Sequence, residues 1–219
     1  MRVSKETIYR YIYVLPKGEL KHSLIKALRR EHKWRYRRNR KKQANTRSIP
    51  NLISIQQRPQ EALGRKIPGH WEGDLLLGKW RKSALGTLVE RKTRNVLLVP
   101  LPFGYSHTEV NKGFEKVFSK LPLFLRKTLT YDRGPEMASH EKLTRKIKIK
   151  VFFCDPQSPW QRGSNENTNG LIRQFFPKGT DFSKLNYREI KEVERLLNGR
   201  PRKVLNYRKP RELFQELLR

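Results

Sequence analysis

Fifty lysines and arginines against twenty aspartates and glutamates give this 219-residue chain a formal net charge of +30. A charge of that size opposes compaction by self-repulsion unless a polyanion neutralises it. Nucleic acid is the common polyanion, and the pI of 10.7 is well above the value of about 9 that marks nucleic-acid-binding domains. The ten Phe, eight Tyr and four Trp argue against a disordered basic tail, which lacks the apolar side chains to build a core. The expectation is a folded core under a basic coat. A plain solvated surface and a ribosomal-type structural protein are the competing readings.

Cys154 is the only cysteine, which excludes an internal disulfide framework and suits a reducing compartment. The five histidines are scattered without structural-zinc spacing. No apolar stretch approaches membrane-spanning length. The opening MRVSKETIYRYIY lacks a signal-peptide pattern. Together these predict a cytoplasmic protein.

Three regions differ in character, giving a basic helical segment (1–48), a linker (49–69) and a sheet-centred domain with a helical extension (70–219). In the first, Ser4 is a candidate N-cap. Ile8, Tyr11, Ile12 and Leu15 recur at helical spacing until Pro16. Leu20, Leu24, Ile25 and Leu28 start a second helix that runs into KWRYRRNRKK, seven of whose ten residues are Lys or Arg. Pro50, Pro59 and Pro68 mark the linker as extended. Beyond it, HWEGDLLLG, ALGTLVERKT and RNVLLVPLP read as three strands, followed by a helix (HTEVNKGFEKVFSKLP), a strand (KTLTYD), a helix (EMASHEKLTRKI) and a strand (KVFFCD). That order implies a mixed sheet covered by helices. SNENTNGLIRQFF, YREIKEVERLLNG and PRELFQELL complete the chain as helices.

Phosphodiester cleavage without a covalent intermediate needs an activated water and a stabilised leaving oxygen, and two divalent metal ions can supply both. Mg²⁺ takes oxygen ligands and keeps several waters, so a few carboxylates suffice. Asp74 stands in an apolar strand, where an isolated carboxylate is costly without a partner, metal or solvent. Asp132 ends a strand at YDRG, and strand ends of open α/β sheets are where ligands bind. On a helical reading, Thr168, Leu171, Ile172 and Phe175 form an apolar stripe, while Glu166, Asn169 and Arg173 share another face. Each acid also has a bland explanation: Asp132 as a turn residue, Glu166 as a first-turn dipole partner. Spacing alone does not separate the three from Glu72, Glu136 or Asp155.

HWEGDLLLG, LTYDRGPEM and above all CDPQSPWQRGSNENTNGLIRQFFPKGTDF resemble the insertion-sequence-thirty family of bacterial transposases over at least residues 65–219. The resemblance implies an α/β, RNase H-like fold: a mixed five-stranded sheet flanked by helices, with the basic helical segment before it. It places the family's acidic triad on Asp74, Asp132 and Glu166, with 33 residues between the second Asp and the Glu. It implies two Mg²⁺ or Mn²⁺ ions on that triad, with Asp74 bridging both. It implies hydrolysis at transposon ends, then transfer of the freed 3′-OH to target DNA. It further implies a homo-oligomer on DNA and a place at the bacterial nucleoid. Glu136 is a candidate supporting acid, with a surface acid at a helix start the favoured explanation.

Candidate DNA contacts fall in two groups. Lys33, Arg35, Arg37, Arg38, Arg40, Lys41 and Lys42, interleaved with Trp34 and Tyr36, form the strongest electrostatic candidate. Trp160, Arg162, Asn165, Asn169 and Arg173 surround Glu166, and Arg and amide side chains suit phosphates and base edges. Trp160 serves equally as core filling under a loop. MRVSKETIYRYIY resembles the last helix of the helix-turn-helix module that opens the family's proteins. The expectation is therefore an N-terminally truncated copy with weak recognition of transposon ends. A non-catalytic DNA-binding remnant is the alternative function.

Overall fold

The computed structural model describes residues 3–28 and 49–219. The chain divides into two compact units, Met1–Asn45 and Thr46–Arg219.

In the first unit, α1 spans Lys5–Val14 and α2 spans Glu19–Ala27. The Ser4 hydroxyl accepts the Thr7 N–H at 3.1 Å, so the expected N-cap forms. At the other end, Lys21 donates to the Tyr13 and Leu15 carbonyls at 3.0 and 2.7 Å. It satisfies carbonyls that a helix end would otherwise leave open.

The second unit is built on one five-stranded sheet. Its strands are β1 (His70–Leu77), β2 (Ala84–Glu90), β3 (Val96–Leu101), β4 (Thr128–Tyr131) and β5 (Lys150–Phe153), in the order β3-β2-β1-β4-β5. β1 to β3 form an antiparallel meander, and β4 and β5 run parallel to β1. Helices α3 (His107–Phe118) and α4 (His140–Ile147) lie between the later strands. Helices α5 (Gly163–Phe175), α6 (Tyr187–Gly199) and α7 (Pro210–Glu216) follow the sheet. This is the mixed, RNase H-like arrangement expected of the sequence.

The period of two along each strand divides the core. Trp71, Leu88, Val99, Leu129, Tyr131 and Val151 face α3 and α4, packing with Val110, Phe114, Leu143 and Ile147. Leu76, Leu85, Val89 and Leu98 face the other way, packing with Leu171 and Ile172 of α5 and Ile190, Val193 and Leu197 of α6. All seven residues of β2 are buried, because both faces of this strand are covered. Trp71 anchors the first layer: its indole N–H donates to the Leu125 carbonyl at 2.7 Å, and its ring meets Phe118 edge-on at 5.4 Å. α6 starts on a capping box, with Asn186 and Glu189 bonding reciprocally.

The segment 49–69 does not stand apart as a spacer. Ile49, Ile55 and Ala62 are buried, and Ile53 accepts a backbone hydrogen bond from Phe153 of β5 at 2.9 Å. In place of the extended path expected, it carries two short 3-10 turns, Ile55–Gln57 and Gln60–Ala62, and it docks on the sheet edge where Ser54 bridges Phe153.

Candidate active site

The parallel register of β1 and β4 brings the two aspartates together. His70, Trp71 and Glu72 pair with Thr128, Leu129 and Thr130. Continuing that register, Gly73 lies beside Tyr131 and Asp74 beside Asp132. Gly73 is required there, since a Cβ would meet the Tyr131 ring at 2.8 Å. By strand alternation His70, Glu72 and Asp74 share the face that carries α5.

Arg162, in the turn that leads into α5, joins the aspartates. Its guanidinium lies 3.1 Å from Asp74 Oδ1 and 3.3 Å from Asp132 Oδ2, and donates to the Gly73 carbonyl at 2.8 Å. Burial opposes the Arg162 charge, but Asp74 and Asp132 outweigh it and raise its pKa. Burial pushes the Asp132 carboxyl up; Arg162 pulls it down and Asp74 adds to the rise. Asp132 Oδ1 is buried without a hydrogen-bond partner. Asp74 Oδ2 accepts from the Asn169 amide at 2.8 Å.

Glu166 is exposed on α5. It lies one turn from Arg162 and from Asn169, both of which hold Asp74, and seven residues before Arg173, which donates to the Leu77 carbonyl at 2.9 Å. The Glu166–Asn169–Arg173 face therefore runs along β1. It is not turned away from the sheet, as helix periodicity alone allowed. Asp74 and Asp132 meet through one guanidinium, and Glu166 occupies the helix stripe that flanks them. Among the described residues no three His, Cys, Asp or Glu side chains are already grouped to hold one metal ion.

Glu136 is a fourth acid at this site. It sits in the turn after Asp132, and a Cβ on Gly134 would collide with its carboxylate. Burial, then repulsion from Asp132 and Asp74, pushes its pKa up to about 7. The sequence marks Glu136 as a candidate supporting acid, and its half-buried place beside Asp132 does not fit the favoured explanation of a surface acid.

The candidate DNA contacts fall in different places. Trp160 is 71% exposed, which removes the core-filling explanation. Arg162, Asn169 and Arg173 are engaged with β1. Asn165 is fully buried: it donates to the Glu72 and Thr87 carbonyls at 2.9 and 3.2 Å and accepts from the Thr87 hydroxyl at 2.9 Å. Its amide faces the strands, not solvent, so it positions α5. The candidates Lys33, Arg35, Arg37, Arg38, Arg40, Lys41 and Lys42 lie outside the described residues. No described helix is long and apolar enough to cross a membrane.

Beneath the aspartates lies a buried ionic layer that sequence reading missed. Glu72 is fully buried, 3.2 Å from Arg91, and accepts the Asn165 N–H at 3.0 Å. It ties the first turn of α5 to β1.

The integrase core domain family model matches residues 64–159, a span that includes Asp74 and Asp132. The chain is 47% identical to the transposase of insertion sequence element IS1086 from Cupriavidus metallidurans, covering all of this chain and 64% of that protein. It is 45% identical to an IS30 transposase from Escherichia coli, covering 98% of this chain and 56% of that protein. It is 40% identical to the IS4351 transposase from Bacteroides fragilis, covering 99% of this chain and 65% of that protein. The chain thus spans less than two thirds of the length of each of these relatives. Residues 64–159 thus match the integrase core domain family, and the whole chain is similar to transposases of the IS1086, IS30 and IS4351 insertion elements.

Proposed function

We propose that the chain is the catalytic part of a DNA transposase, cutting DNA at transposon ends and joining the freed 3′-OH to target DNA. The observation that carries this reading is the β1–β4 register, which sets Asp74 beside Asp132 under the α5 face that bears Glu166.

The donor set suits Mg²⁺ or Mn²⁺, because it offers only hard carboxylate oxygens. Asp132 Oδ1 is buried without a hydrogen-bond partner, an acceptor that a cation could satisfy. Asp74, Asp132 and Glu166 would hold two ions. Bound there, the ions supply an activated water and charge neutralisation on the leaving oxygen. The chain's own groups do the rest. Asn169 fixes the Asp74 carboxylate. Asn165 and Glu72 fix the start of α5 and so the height of Glu166 over the sheet. Arg162 holds the two aspartates against mutual repulsion, and its planar fork suits a phosphate once the aspartates have another cation. Exposed Trp160 offers a stacking face for an unpaired base. The partners are transposon-end and target DNA, with the chain acting as a homo-oligomer on them.

The test is cleavage and joining of end-bearing duplex DNA with Mg²⁺ or Mn²⁺ by the parent and by Asp74→Ala, Asp132→Ala and Glu166→Ala. Loss of both steps in each variant is expected. Survival in all three would refute the assignment. DNA shifting by the parent without metal-dependent nicking would mark a binding remnant instead.

A further inference from the structure

On the side of α5 away from Asp74, three arginines from distant parts of the chain converge on one cavity of about 230 Å³. Arg65 comes from the segment before β1, Arg94 from the β2–β3 turn, and Arg202 from the segment after α6. They surround Ser164 and Thr168 on the first turns of α5, and among the described residues no acidic side chain lines the cavity.

The placement of these arginines is built, not incidental. Arg94 holds a left-handed backbone (φ 61°), unusual for a residue with a side chain, and its guanidinium donates to the Ser164 hydroxyl. Arg202 is held by the Leu197 carbonyl at 3.0 Å. Arg65 is also left-handed (φ 53°) and exposed. Arg94 feels its neighbour's like charge: its pKa is shifted down by burial first and by Arg65 second. Arg91 and Arg58 add to the same positive field.

The nearby carboxylates are committed elsewhere. Glu72 serves Arg91 and the Asn165 N–H. Glu90 accepts from the Gly69 N–H and from Thr93, and with Glu72 it offsets part of the charge on Arg94. The described lining of the cavity therefore carries net positive charge, with guanidinium forks suited to an oxyanion and the positive end of a 13-residue helix beside them.

We infer that the Arg65–Arg94–Arg202 cavity is a phosphate-group site that takes a backbone phosphodiester of DNA. The inference rests on the DNA reading above and adds a contact to it. Ser164 precedes Glu166 by two residues, and a helix with side chains is about 10–12 Å across. Phosphates along one strand rise about 3.4 Å each. DNA engaged at the acids thus reaches the cavity within about three or four nucleotides. The site fixes the path of the strand and reads no sequence.

The experiment measures duplex affinity across a salt series for the parent, Arg65→Glu, and Arg65→Glu combined with Arg94→Gln, with inorganic phosphate as a second probe. The expected result is a roughly tenfold loss of affinity in the double variant, the same for unrelated sequences. The slope of log K against log salt should fall by about one. Arg65 is exposed, so Arg65→Glu keeps the test decisive if the double variant fails to fold. Affinity and slope matching a DNA-binding parent would overturn the cavity assignment alone. A parent that binds no duplex would overturn the DNA reading, and the assignment with it. If inorganic phosphate raises the parent's melting temperature through these arginines while duplex affinity ignores them, the cavity is a free-oxyanion site and the assignment is wrong.

Discussion

Arg162 sits between Asp74 and Asp132, so removing it exposes what those carboxylates cost. Arg162→Met leaves two half-buried aspartates facing each other with no cation between them. The variant should lose about 1–3 kcal/mol of stability without divalent metal. Mg²⁺ should raise its melting temperature by more than it raises the parent's. An equal rise in both would show that the guanidinium and the ions do not address the same charges.

His70 gives a second residue-scale prediction. It is 1% exposed, with Glu61 3.3 Å from Nε2 and the Thr128 hydroxyl 2.8 Å from Nδ1. Burial lowers its pKa to about 4; Glu61 acts against this, while Lys127, Arg91 and Arg58 reinforce it. In the unfolded chain the ring takes a proton near pH 6.5; in the fold it stays neutral to about 4. Stability is therefore full above pH 6.5 and falls as pH drops toward 4, by about 3 kcal/mol at most. Denaturant unfolding of His70→Gln at pH 7 and pH 4 should show a smaller loss than the parent over that interval. Identical losses would remove His70 as a cause of acid sensitivity.

At the scale of elements, α5 matters most, because its height over β1 sets where Glu166 stands. Asn165→Ala strips the clamp and leaves the Thr87 hydroxyl and the Glu72 carbonyl without this partner. A loss of about 2–4 kcal/mol is expected, read from denaturant midpoints. Backbone amides of α5 should exchange faster than those of β2. Exchange limited to the ends of α5 would mean the clamp does not hold the helix.

The elements themselves were readable in the sequence. β1, β2 and β3 are apolar runs broken by polar turns, and α5 shows its buried stripe in Thr168, Leu171 and Ile172. What could not be read depends on contacts distant in sequence. The pairing of Asp74 with Asp132 follows from a parallel register that no local pattern encodes. The docking of 49–69 depends on an open edge at β5. The bridging of the two aspartates by Arg162 could not be read either, because nothing nearby in sequence marks them as its partners. Glu72 and Asn165 form their lock across 93 residues. The proposed triad comes from family resemblance, since spacing alone left Glu72, Glu136 and Asp155 as rivals.

For the whole molecule, the +30 charge sets the conditions under which the fold is comfortable. Self-repulsion is strongest at low ionic strength, where the screening length is about 30 Å, and weak near 0.15 M, where it is about 8 Å. The melting temperature of the free protein should rise with added salt across that range. Duplex DNA should raise it further at low salt than at high salt. A melting temperature that falls with salt would mean that attractive ion pairs, not the excess charge, dominate the stability.

The central claim is that Asp74, Asp132 and Glu166 form one divalent-metal site on the β1–β4–α5 face. Its most direct test is Mn²⁺ binding to the full chain on duplex DNA, followed by loss of the free-ion electron paramagnetic resonance signal. The parent should take up two ions per chain. Asp74→Ala should bind neither tightly, and Asp132→Ala and Glu166→Ala should each lose one. Undiminished Mn²⁺ uptake by Asp74→Ala, in a variant that still folds and binds DNA, would contradict the account.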